Sequence, residues 1–322
     1  MKAALVNKPG GPENIEYADI PTPEPGRGEA RVKLAAIGVN FIDTYFRTGL
    51  YKANPPVVLG QEGAGTVDKV GPEVADVKPG DRVAYCMVRG SDAEYAVVPS
   101  WQLVKLPDAL DFNHAAAVLL QGMTAHYLTH STFELKSGDT CLVHAAAGGV
   151  GLLLVQIAKM CGARVIGTAG TEQKANKARE AGADEMIVYT QQDFVAETKR
   201  LTGGRGVDVV YDSVGKSVFM GSLDCLRPRG MLVTFGNASG AVPPFEPLLL
   251  SQKGSLFLTR PTLANYAATR EELEWRAGDV LRWVAEGKLK VEIFREYPLA
   301  EVAQAHRDLE ARKTTGKLLL IP

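Results

Sequence analysis

The sequence predicts an α/β protein in which a doubly wound parallel sheet is inserted into a mostly antiparallel, β-barrel-like domain. Three observations predict it: a strand, glycine turn, helix and strand at residues 140–174, alternating strands and helices from about residue 121, and short β-like runs with Pro-Gly and Gly-Asp turns before that point. We therefore expect residues 1–120 and 261–322 to form one domain and residues 121–260 to form the inserted domain.

The outer domain is predicted from its turns and from the change of pattern near the C-terminus. Proline and glycine punctuate the first 120 residues, which favours short strands over helices. After Arg260 come two amphipathic helices, residues 271–286 and 301–312, and a last strand, Lys317–Ile321, that we expect to return to the outer domain. Four earlier strands are predicted, at residues 30–36, 65–70, 82–85 and 94–99.

The inserted domain is predicted from strands that alternate with helices. Such alternation is typical of a parallel sheet covered by helices on both faces. Six strands are predicted, at residues 140–145, 164–169, 185–189, 207–212, 230–235 and 255–259.

The turn after the first of these strands has the form of a dinucleotide cradle. Residues 141–145 are an apolar strand, residues 152–160 continue as an apolar helix, and the N-terminus of a helix favours anions. Ala146 stands where the G-x-G-x-x-G pattern has its first glycine. A glycine-rich turn that binds nothing would have the same appearance, so the surrounding sequence decides. Three glycines let the backbone approach a pyrophosphate: Gly148, Gly149 and Gly151.

The end of the second strand indicates NADP rather than NAD. An NAD-binding unit carries an acidic residue there for the ribose hydroxyls, but this strand ends in Gly170 and Thr171. Lys174 lies in the first turn of the next helix, where the helix dipole disfavours a cation unless an anion is nearby. The 2′-phosphate of NADP is such an anion, and Tyr189 at the end of the third strand would stack on it or bond to it. A solvated lysine and a strand-end tyrosine are the structural alternative.

Composition excludes several classes of partner. The chain has 322 residues, of which 46% are hydrophobic, enough for two cores. Its 36 Lys and Arg residues balance 37 Asp and Glu residues, so no basic field attracts nucleic acid or anionic lipid. The N-terminus lacks a signal-peptide apolar region, and the longest apolar stretch, residues 150–157, is too short to span a membrane. No membrane attachment is expected.

Cysteine usage indicates a reducing compartment. The four cysteines are far apart in sequence and do not follow the spacing of metal ligands. We therefore expect a cytoplasmic protein whose cysteines are reduced core residues. They are Cys86, Cys141, Cys161 and Cys225.

Seven motifs follow one another along the whole chain: VNFIDTY at residues 39–45, GQEGAG at 60–65, GDRV at 80–83, GMTA at 122–125, HAAAGGVG at 144–151, YDSVG at 211–215 and FGN at 235–237. Together they resemble the zinc-free quinone oxidoreductases of the medium-chain dehydrogenase/reductase superfamily, relatives of ζ-crystallin. The resemblance implies a Rossmann domain that binds NADPH, inserted into a GroES-like catalytic domain that binds a small quinone. It also implies a homodimer formed partly through the cofactor domain, with residues 230–235 as an exposed edge strand.

The same resemblance predicts chemistry without a metal. In the zinc-dependent branch of the superfamily, a Cys stands at the position of Asn40 and a His at the position of Gln61. Amides are poor zinc ligands compared with thiolate and imidazole, and the four-Cys loop of a structural zinc is also missing. Without a Lewis acid to ionise an alcohol, an electron-poor acceptor such as a quinone is the expected substrate.

Four polar residues are implied to line the acceptor site, where they would orient the quinone and hydrogen-bond the developing phenolate. Each has a structural alternative: barrel packing for the tyrosines, a turn role for the asparagine, a structural amide for the glutamine. No general acid or base is required, and no catalytic role is assigned to His114, His126 or His144, the last of which we expect to be a bonded core histidine. The four residues are Asn40, Tyr45, Tyr51 and Gln61.

Cofactor contacts are also implied by the resemblance, most of them at the carboxyl ends of strands. Arg312 would close over the phosphates, although a dipole partner or a solvated charge is the alternative there. The other implied contacts are Asn40, Phe41, Ile42, Phe235, Asn237, Phe257 and Leu258 around the nicotinamide, Thr124 at its phosphate or ribose, Gly149 and Val150 at the pyrophosphate, Gly170, Lys174 and Tyr189 at the 2′-phosphate end, and Ser213 at the end of the fourth strand.

Two other functions stay open at this point. One is reduction of the C=C bond of an α,β-unsaturated ketone, alkenal or enoyl thioester, which differs only in where the oxyanion of the acceptor is held. The other is a non-enzymatic structural or RNA-binding role, against which the balanced charge and the lack of an aromatic-basic surface argue. The sequence fits all physiological acceptors of these classes equally, and both one- and two-electron transfer.

Overall fold

The protein, described by a computed structural model for all residues from Met1 to Pro322, divides into two compact units. One unit comprises Met1–Met123 and Ala267–Pro322, and the other comprises Thr124–Tyr266. The second unit is thus inserted in the sequence of the first, and its limits lie close to the predicted residues 121 and 260.

Sixteen strands and ten helices make up the two units. The strands are β1 Lys2–Val6, β2 Ile15–Asp19, β3 Glu29–Val39, β4 Val57–Val58, β5 Glu62–Val70, β6 Arg82–Cys86, β7 Tyr95–Pro99, β8 Val104–Lys105, β9 Thr140–Val143, β10 Arg164–Ala169, β11 Glu185–Val188, β12 Val207–Asp212, β13 Leu226–Thr234, β14 Phe257–Thr259, β15 Ile293–Pro298 and β16 Lys317–Ile321. The helices are α1 Phe41–Thr48, α2 Phe112–Tyr127, α3 Gly149–Met160, α4 Glu172–Glu180, α5 Phe194–Leu201, α6 Phe219–Asp224, α7 Leu248–Gln252, α8 Leu263–Tyr266, α9 Arg270–Ala285 and α10 Val302–Glu310.

The first unit is built on a seven-stranded sheet in the order β15-β16-β3-β5-β6-β8, with β7 also paired to β3. All pairs are antiparallel except β15 with β16, which confirms the mostly antiparallel prediction. A smaller antiparallel sheet has the order β2-β1-β4. The last strand, β16, pairs with β3, so the chain returns to this unit as expected.

Strand β3 is central to this sheet because of its length and its pattern of burial. Its first half alternates buried and less buried side chains, as a strand with one face on the core does, and its second half is buried on both faces from Ile37 to Val39. One edge of β3 pairs along β5, while the other pairs with β7 at its start and with β16 at its end. The end of β3 is therefore held on both sides where it delivers Asn40 to the start of α1.

The second unit is a six-stranded parallel sheet in the order β11-β10-β9-β12-β13-β14. Counted within the unit this is the order 3-2-1-4-5-6, which is that of a Rossmann fold, so the predicted fold class is confirmed. Its strands are apolar because helices cover both faces, and all six residues of β12 are buried.

The edge strand of this sheet was predicted wrongly. Residues 230–234 lie in β13, which is paired on both sides, with β12 and with β14, and Phe235 directly follows it. The edge is β14, whose first residue, Phe257, has 57% of its surface exposed. Because β14 has only three residues, it gives a weak signal in the sequence.

Several limits also differ from the prediction. Strand β13 begins at Leu226 rather than residue 230, since the Arg-Pro-Arg-Gly segment that has the composition of a turn is accommodated by a register shift beside β12. Strand β9 ends at Val143 rather than residue 145, because Ala145 has a φ of 51° and turns the chain. Strands β1, β2, β4, β8 and β15 and helices α1 and α2 were not predicted.

The cysteines and helices agree with two further expectations. All four cysteines are free, and Cys86, Cys141 and Cys225 are buried, whereas Cys161 is half-buried. None of the ten helices combines the length and the hydropathy that crossing a bilayer requires.

Candidate cofactor and acceptor sites

The glycine turn of the second unit brings backbone amides to the start of α3. Gly148 is the N-cap in an extended conformation, and α3 begins at Gly149. A Cβ atom at Gly151 would lie 2.3 Å from the carbonyl oxygen of Ala145, so this position requires glycine. The first N–H groups of a helix have no partner within the helix. Gly149 and Val150 therefore present N–H groups without helical partners at the start of α3, and an anion can accept from such groups.

Ala146, which replaces the first glycine of the usual pattern, is accommodated by a glycine on the neighbouring strand. A Cβ atom at Gly167 would lie 2.8 Å from the Ala146 Cβ and 2.4 Å from the sulfur of Met186. The backbone N–H of Ala146 donates to the carbonyl oxygen of Thr168 at 3.0 Å. Gly167, on the neighbouring strand β10, therefore leaves room for the methyl group of Ala146.

Gly170, Lys174 and Tyr189 are brought together at the end of β10. A Cβ atom at Gly170 would lie 2.7 Å from the Tyr189 hydroxyl oxygen, so the tyrosine ring covers this glycine. Thr171 is the N-cap of α4 and accepts a hydrogen bond from the backbone N–H of Lys174 at 3.3 Å. Tyr189 has 47% of its surface exposed. The nearest acid, Glu172, is paired with Arg179 at 2.6 Å, which neutralises it.

The ends of β12 and β13 are joined by close backbone contact. A Cβ atom at Gly236 would lie 2.3 Å from the carbonyl oxygen of Ser213. Phe235 is half-buried and follows β13 directly, and its N–H donates to the backbone oxygen of Asp212 at 2.8 Å. In the orientation that satisfies its neighbours, the Asn237 side chain donates to the Gly236 carbonyl at 3.0 Å. These predicted residues therefore share one strand edge.

Two polar residues at this edge were missed by the sequence prediction. Arg260 donates to the Thr234 carbonyl at 2.9 Å and, at 3.2 Å, to the oriented oxygen of Asn237. Asp212 accepts from the N–H groups of Val214 and Gly215 at 2.7 and 2.9 Å, and burial raises its pKa to about 6. Two signals in the sequence could have identified them: Asp212 is an acid at the end of an apolar strand, and Arg260 directly follows a strand.

Phe257 and Leu258 do not lie at the carboxyl ends of strands, contrary to the prediction. In the register of β14 with β13, Phe257 pairs with Met231 and Leu258 pairs with Leu232, which lie three and two residues before the end of β13. Only Thr259 approaches the edge. The prediction failed because β14 begins two residues later than expected and is short.

The other predicted positions of the second unit are interior. Thr124 is buried on α2, which begins in the first unit and ends in the second. His144 is a core histidine, as expected: its Nδ1 lies 3.0 Å from the Thr168 hydroxyl, its Nε2 lies 2.9 Å from the Ser222 hydroxyl, and burial lowers its pKa to about 3. Since the Ser222 hydroxyl donates to the Val218 carbonyl, His144 carries its proton on Nε2.

In the first unit, Asn40 is the centre of a buried polar cluster. Its Nδ2 donates to the carbonyl oxygen of Gly38 at 3.0 Å and to Glu62 Oε2 at 2.9 Å. Its Oδ1 accepts from Lys317 Nζ at 2.8 Å and from Gln121 Nε2 at 3.4 Å. Lys317 and Glu62 form an ion pair of 2.6 Å with side chains that are 1% and 0% exposed. We name the five residues Gly38, Asn40, Glu62, Gln121 and Lys317 the Asn40 cluster.

A second buried acid lies beside this cluster. The backbone N–H of Asn40 donates to Asp43 Oδ2 at 2.7 Å, which caps α1. Burial and the neighbouring charge of Asp92 raise the pKa of Asp43 well above its usual value. Burial raises the pKa of Asp92 to about 7, and neither of its carboxyl oxygens has a hydrogen-bond partner.

The two predicted tyrosines contact each other at the end of α1. Tyr45 is buried and Tyr51 is half-buried, their ring centroids are 5.2 Å apart and the rings meet at 65°. Helix α1 ends at Gly49, with a φ of 81°, and the backbone N–H of Tyr51 then bonds to the Tyr45 carbonyl at 3.0 Å. Phe41 and Ile42, on the first turn of α1, are half-buried.

Gln61 and Arg312 are the remaining predictions in this unit. Gln61 is buried immediately before β5, and its backbone carbonyl accepts from the N–H of Met87 at 2.8 Å. Arg312 is exposed two residues after α10 ends, with a φ of 55°. It belongs to the first unit, whereas the glycine turn belongs to the second.

The residues at the Asn40 position do not fit a zinc ion. Both amide hydrogens and the oxygen of Asn40 are engaged by protein groups. Burial raises the pKa of the Cys86 thiol well above its usual value, which disfavours the thiolate form that binds zinc. No group of three or more His, Cys, Asp or Glu side chains could hold a metal ion anywhere in the structure. The donor set is therefore that of a buried hydrogen-bond network.

Comparison with known proteins decides the family. Residues 26–108 match the alcohol dehydrogenase GroES-like domain, and residues 149–284 match the zinc-binding dehydrogenase family. The chain is 50% identical over 315 residues to a quinone oxidoreductase of Pseudomonas aeruginosa, covering 97% of each chain, and 46% identical to quinone oxidoreductase 1 of Escherichia coli, covering 98% of each. The chain belongs to the quinone oxidoreductase family.

Solved structures of quinone oxidoreductases agree with this assignment. The Escherichia coli quinone oxidoreductase complexed with NADPH matches with a TM-score of 0.98 and 45% identity over 100% of both chains. A mycobacterial relative, also complexed with NADPH, has the same TM-score of 0.98 and 46% identity. A 2-haloacrylate reductase of Burkholderia sp is 43% identical over 100% of this chain and 99% of its own. The predicted resemblance to the quinone oxidoreductases is confirmed.

Proposed function

We propose that this protein transfers a hydride from NADPH to a small quinone without a metal ion. The observation that carries the proposal is the Asn40 cluster. Where zinc-dependent relatives have a thiolate ligand, this chain has an amide that is held by a buried ion pair, Lys317 with Glu62. An acceptor that is already electron-poor needs no Lewis acid, and a quinone is such an acceptor.

The second unit supplies the residues for NADPH, which carries the hydride when bound. The amides of Gly149 and Val150, at the start of α3, suit the pyrophosphate. Lys174 and Tyr189, beside Gly170, suit a 2′-phosphate, because a lysine supplies a charge-assisted hydrogen bond there. That two relatives have been solved as NADPH complexes supports this choice.

The first unit supplies the polar groups for the acceptor. Asn40, Tyr45, Tyr51 and Gln61 are proposed to line the acceptor site and orient the quinone ring, and the side-chain donors of Tyr45, Tyr51 and Gln61 to help stabilise the negative charge that develops on its oxygen. Neither step needs an ionisable acid or base, since a hydroquinone oxygen exchanges its proton with water.

Reduction of an activated C=C bond is the second candidate. It is favoured by the 43% identity to a 2-haloacrylate reductase, whose substrate is an electron-poor alkene rather than a quinone. Both reactions need a hydride donor and a donor of hydrogen bonds to an oxyanion, so the same residues would serve either.

A direct comparison of acceptors tests the proposal. NADPH oxidation by the purified protein would be followed with 1,4-benzoquinone, 1,4-naphthoquinone, 2-chloroacrylate and an alkenal, each at several concentrations. We expect kcat/KM for the quinones to exceed that for the alkenes by about tenfold or more. A higher kcat/KM for 2-chloroacrylate or the alkenal would contradict the quinone assignment and favour the second candidate.

We further propose a cytoplasmic homodimer. Four free cysteines suit a reducing compartment. The edge strand β14 exposes unpaired backbone groups together with Phe257, and an edge of this kind is suited to pairing with a second copy. Light scattering coupled to size exclusion should give twice the chain mass, and Phe257→Lys should shift the population towards monomer. A wild-type monomer would contradict the proposal.

A further inference from the structure

The hydrogen-bonding capacity of Asn40 is used within the protein. An amide has two N–H donors and an oxygen with two lone pairs. Both donors of Asn40 are given, to Gly38 and to Glu62, and its oxygen receives Lys317 at 2.8 Å and Gln121 at 3.4 Å. Asn40 would have to leave buried, charged partners in order to donate to an acceptor, and leaving them unsatisfied is costly.

Gln121 is the half-buried side chain of the Asn40 cluster, and it has hydrogen-bonding capacity to spare. Its side chain makes a single protein hydrogen bond, to Asn40, and at 3.4 Å this bond is longer than a normal N–H···O contact. Gln121 is half-buried, whereas Asn40, Glu62 and Lys317 are buried. The Nε2 of Gln121 has two N–H groups, so one can stay on Asn40 while the other donates to a ligand.

The backbone that carries Gln121 is fixed. The N–H of the preceding residue, Leu120, donates to Glu62 Oε1 at 2.6 Å, and Glu62 Oε2 is held in turn by Lys317 and Asn40. A Cβ atom at Gly38 would lie 2.4 Å from Glu62 Oε2 and 2.3 Å from the Ala116 carbonyl oxygen, so α2 packs tightly against the end of β3. The backbone at Gln121 is therefore held in place, whereas its side chain can still bond to a further group.

We propose that Gln121 donates the hydrogen bond that stabilises the charge on the oxygen of the acceptor, while Asn40 positions Gln121. The proposal rests on the proposed quinone reduction. Addition of one hydride, which brings two electrons and one proton, converts the quinone to the hydroquinone monoanion. Gln121 Nε2 would donate to the anionic oxygen of that product and keep its own proton. The second proton, which completes the hydroquinone, comes from water.

The charge around Gln121 suits a neutral donor. The cation of the cluster, Lys317, is already paired with Glu62, and the other charged groups near this ion pair, Asp43 and Asp92, are buried acids. No unpaired cation of the cluster is left to stabilise an added negative charge. An amide N–H supplies that stabilisation without adding a titratable group.

Two substitutions at one position test the role. Gln121→Leu removes the donor at nearly constant size, and we expect it to lower kcat with benzoquinone by about tenfold or more. Gln121→Glu places a carboxylate beside the developing anion, so its kcat should be lower than that of Gln121→Leu at pH 8 and should recover as the pH falls and the carboxyl becomes a donor. Asn113→Leu is the matched control, because this half-buried amide lies on the same helix and donates to Glu296 rather than to a member of the Asn40 cluster.

A binding measurement separates this role from a structural one. With NADP⁺ bound, 4-nitrophenol at a pH where it is ionised serves as a stable phenolate, and its absorbance reports binding. Its Kd should rise about tenfold in Gln121→Leu, while the Kd for NADPH and the value of Tm stay within error of the wild type.

The results that would contradict the role of Gln121 differ from the result that would contradict quinone reduction. Wild-type kcat and phenolate Kd in Gln121→Leu, a pH profile for Gln121→Glu that follows the wild type, or an equal loss in Asn113→Leu would each overturn the role of Gln121 and leave quinone reduction intact. A wild-type protein that reduces no quinone would overturn the proposed function, and the role of Gln121 with it.

Discussion

Lys174 is the residue on which the choice between NADPH and NADH depends. Its backbone N–H bonds to the N-cap Thr171, which fixes the residue at the start of α4 beside Gly170 and Tyr189. We expect Lys174→Ala to remove a charge-assisted hydrogen bond of roughly 1.5 to 3 kcal/mol from NADPH and to leave NADH unaffected. Fluorescence titration with both cofactors measures this. Equal losses for NADPH and NADH would show that Lys174 does not bind the 2′-phosphate.

Tyr45 and Tyr51 belong to the acceptor side of the proposed site. Their rings contact each other at the end of α1, so removal of one hydroxyl leaves the packing in place. If either hydroxyl stabilises the developing phenolate, the change to Phe should lower kcat with benzoquinone about tenfold for each 1.4 kcal/mol lost. The Kd for NADPH should stay constant. Wild-type kinetics in both variants would make the tyrosines packing residues.

At the scale of residues, the sequence predicted which residues lie at the ends of strands, but it did not predict which side chains form hydrogen bonds with each other. Residues 170, 174 and 189 could be grouped because each follows or ends a strand of one parallel sheet, and parallel strands share one edge. The partners of Asn40 could not be predicted, since Glu62 and Lys317 lie 22 and 277 residues away in sequence. Only the pairing of β16 with β3 brings Lys317 there.

At the scale of elements, the buried ion pair ties the last strand to the strands around Asn40. Lys317 is the first residue of β16, and Glu62 is the first of β5. Lys317→Met would leave a buried carboxylate unpaired, and we expect a loss of about 3 to 5 kcal/mol of unfolding free energy. Adding Glu62→Gln should restore most of it. Urea unfolding followed by tryptophan fluorescence measures both. A single variant as stable as the wild type would contradict the role of the pair.

Asp92 gives this region a dependence on pH. Burial raises its pKa to about 7 in the folded state, so folding favours the protonated carboxyl and stability decreases as the pH rises from about 4 through about 7. Asp92→Asn keeps the neutral form at every pH. We therefore expect its Tm to exceed that of the wild type at pH 8 by about 2 to 4 °C, and to match it near pH 4.

The comparison of Asp92→Asn with the wild type also tests whether ionisation of Asp92 causes the difference in Tm. Asp43, Glu62 and Lys317 are the charged groups that face this region, and none is changed in Asp92→Asn. Calorimetric scans at several pH values would give the difference in Tm. A difference that is the same at pH 4 and pH 8 would mean that ionisation of Asp92 does not destabilise the fold.

Strand periodicity predicted long elements well and short ones poorly. Strands β10, β12 and β16 have the predicted limits because each has five or six residues, most of them apolar. Strand β14 was predicted at residues 255–259, two residues too long at its start, and its position at the edge of the sheet was assigned to residues 230–235 instead, because three residues carry almost no period. Strand β13 began early because a register shift accommodates a segment with the composition of a turn.

At the scale of the whole molecule, each of the two units contributes one part of the proposed function. The inserted parallel sheet gathers the groups for a dinucleotide at one strand edge, and the antiparallel unit gathers a buried polar cluster at Asn40. The order of the motifs predicted this division, since the glycine turn lies within a βαβ unit and the hairpin-rich segments precede it. Neither unit contains a group of three or more His, Cys, Asp or Glu side chains that could hold a metal ion.

The central claim is that this chain transfers a hydride from NADPH to a quinone without a metal. The most direct measurement is the rate of NADPH oxidation with 1,4-benzoquinone, before and after treatment with a chelator, with NADH measured in parallel. We expect kcat/KM for NADPH to exceed that for NADH about tenfold or more and to be unchanged by the chelator. Equal values for the two cofactors, or activity that is lost with the chelator and restored by zinc, would contradict the account.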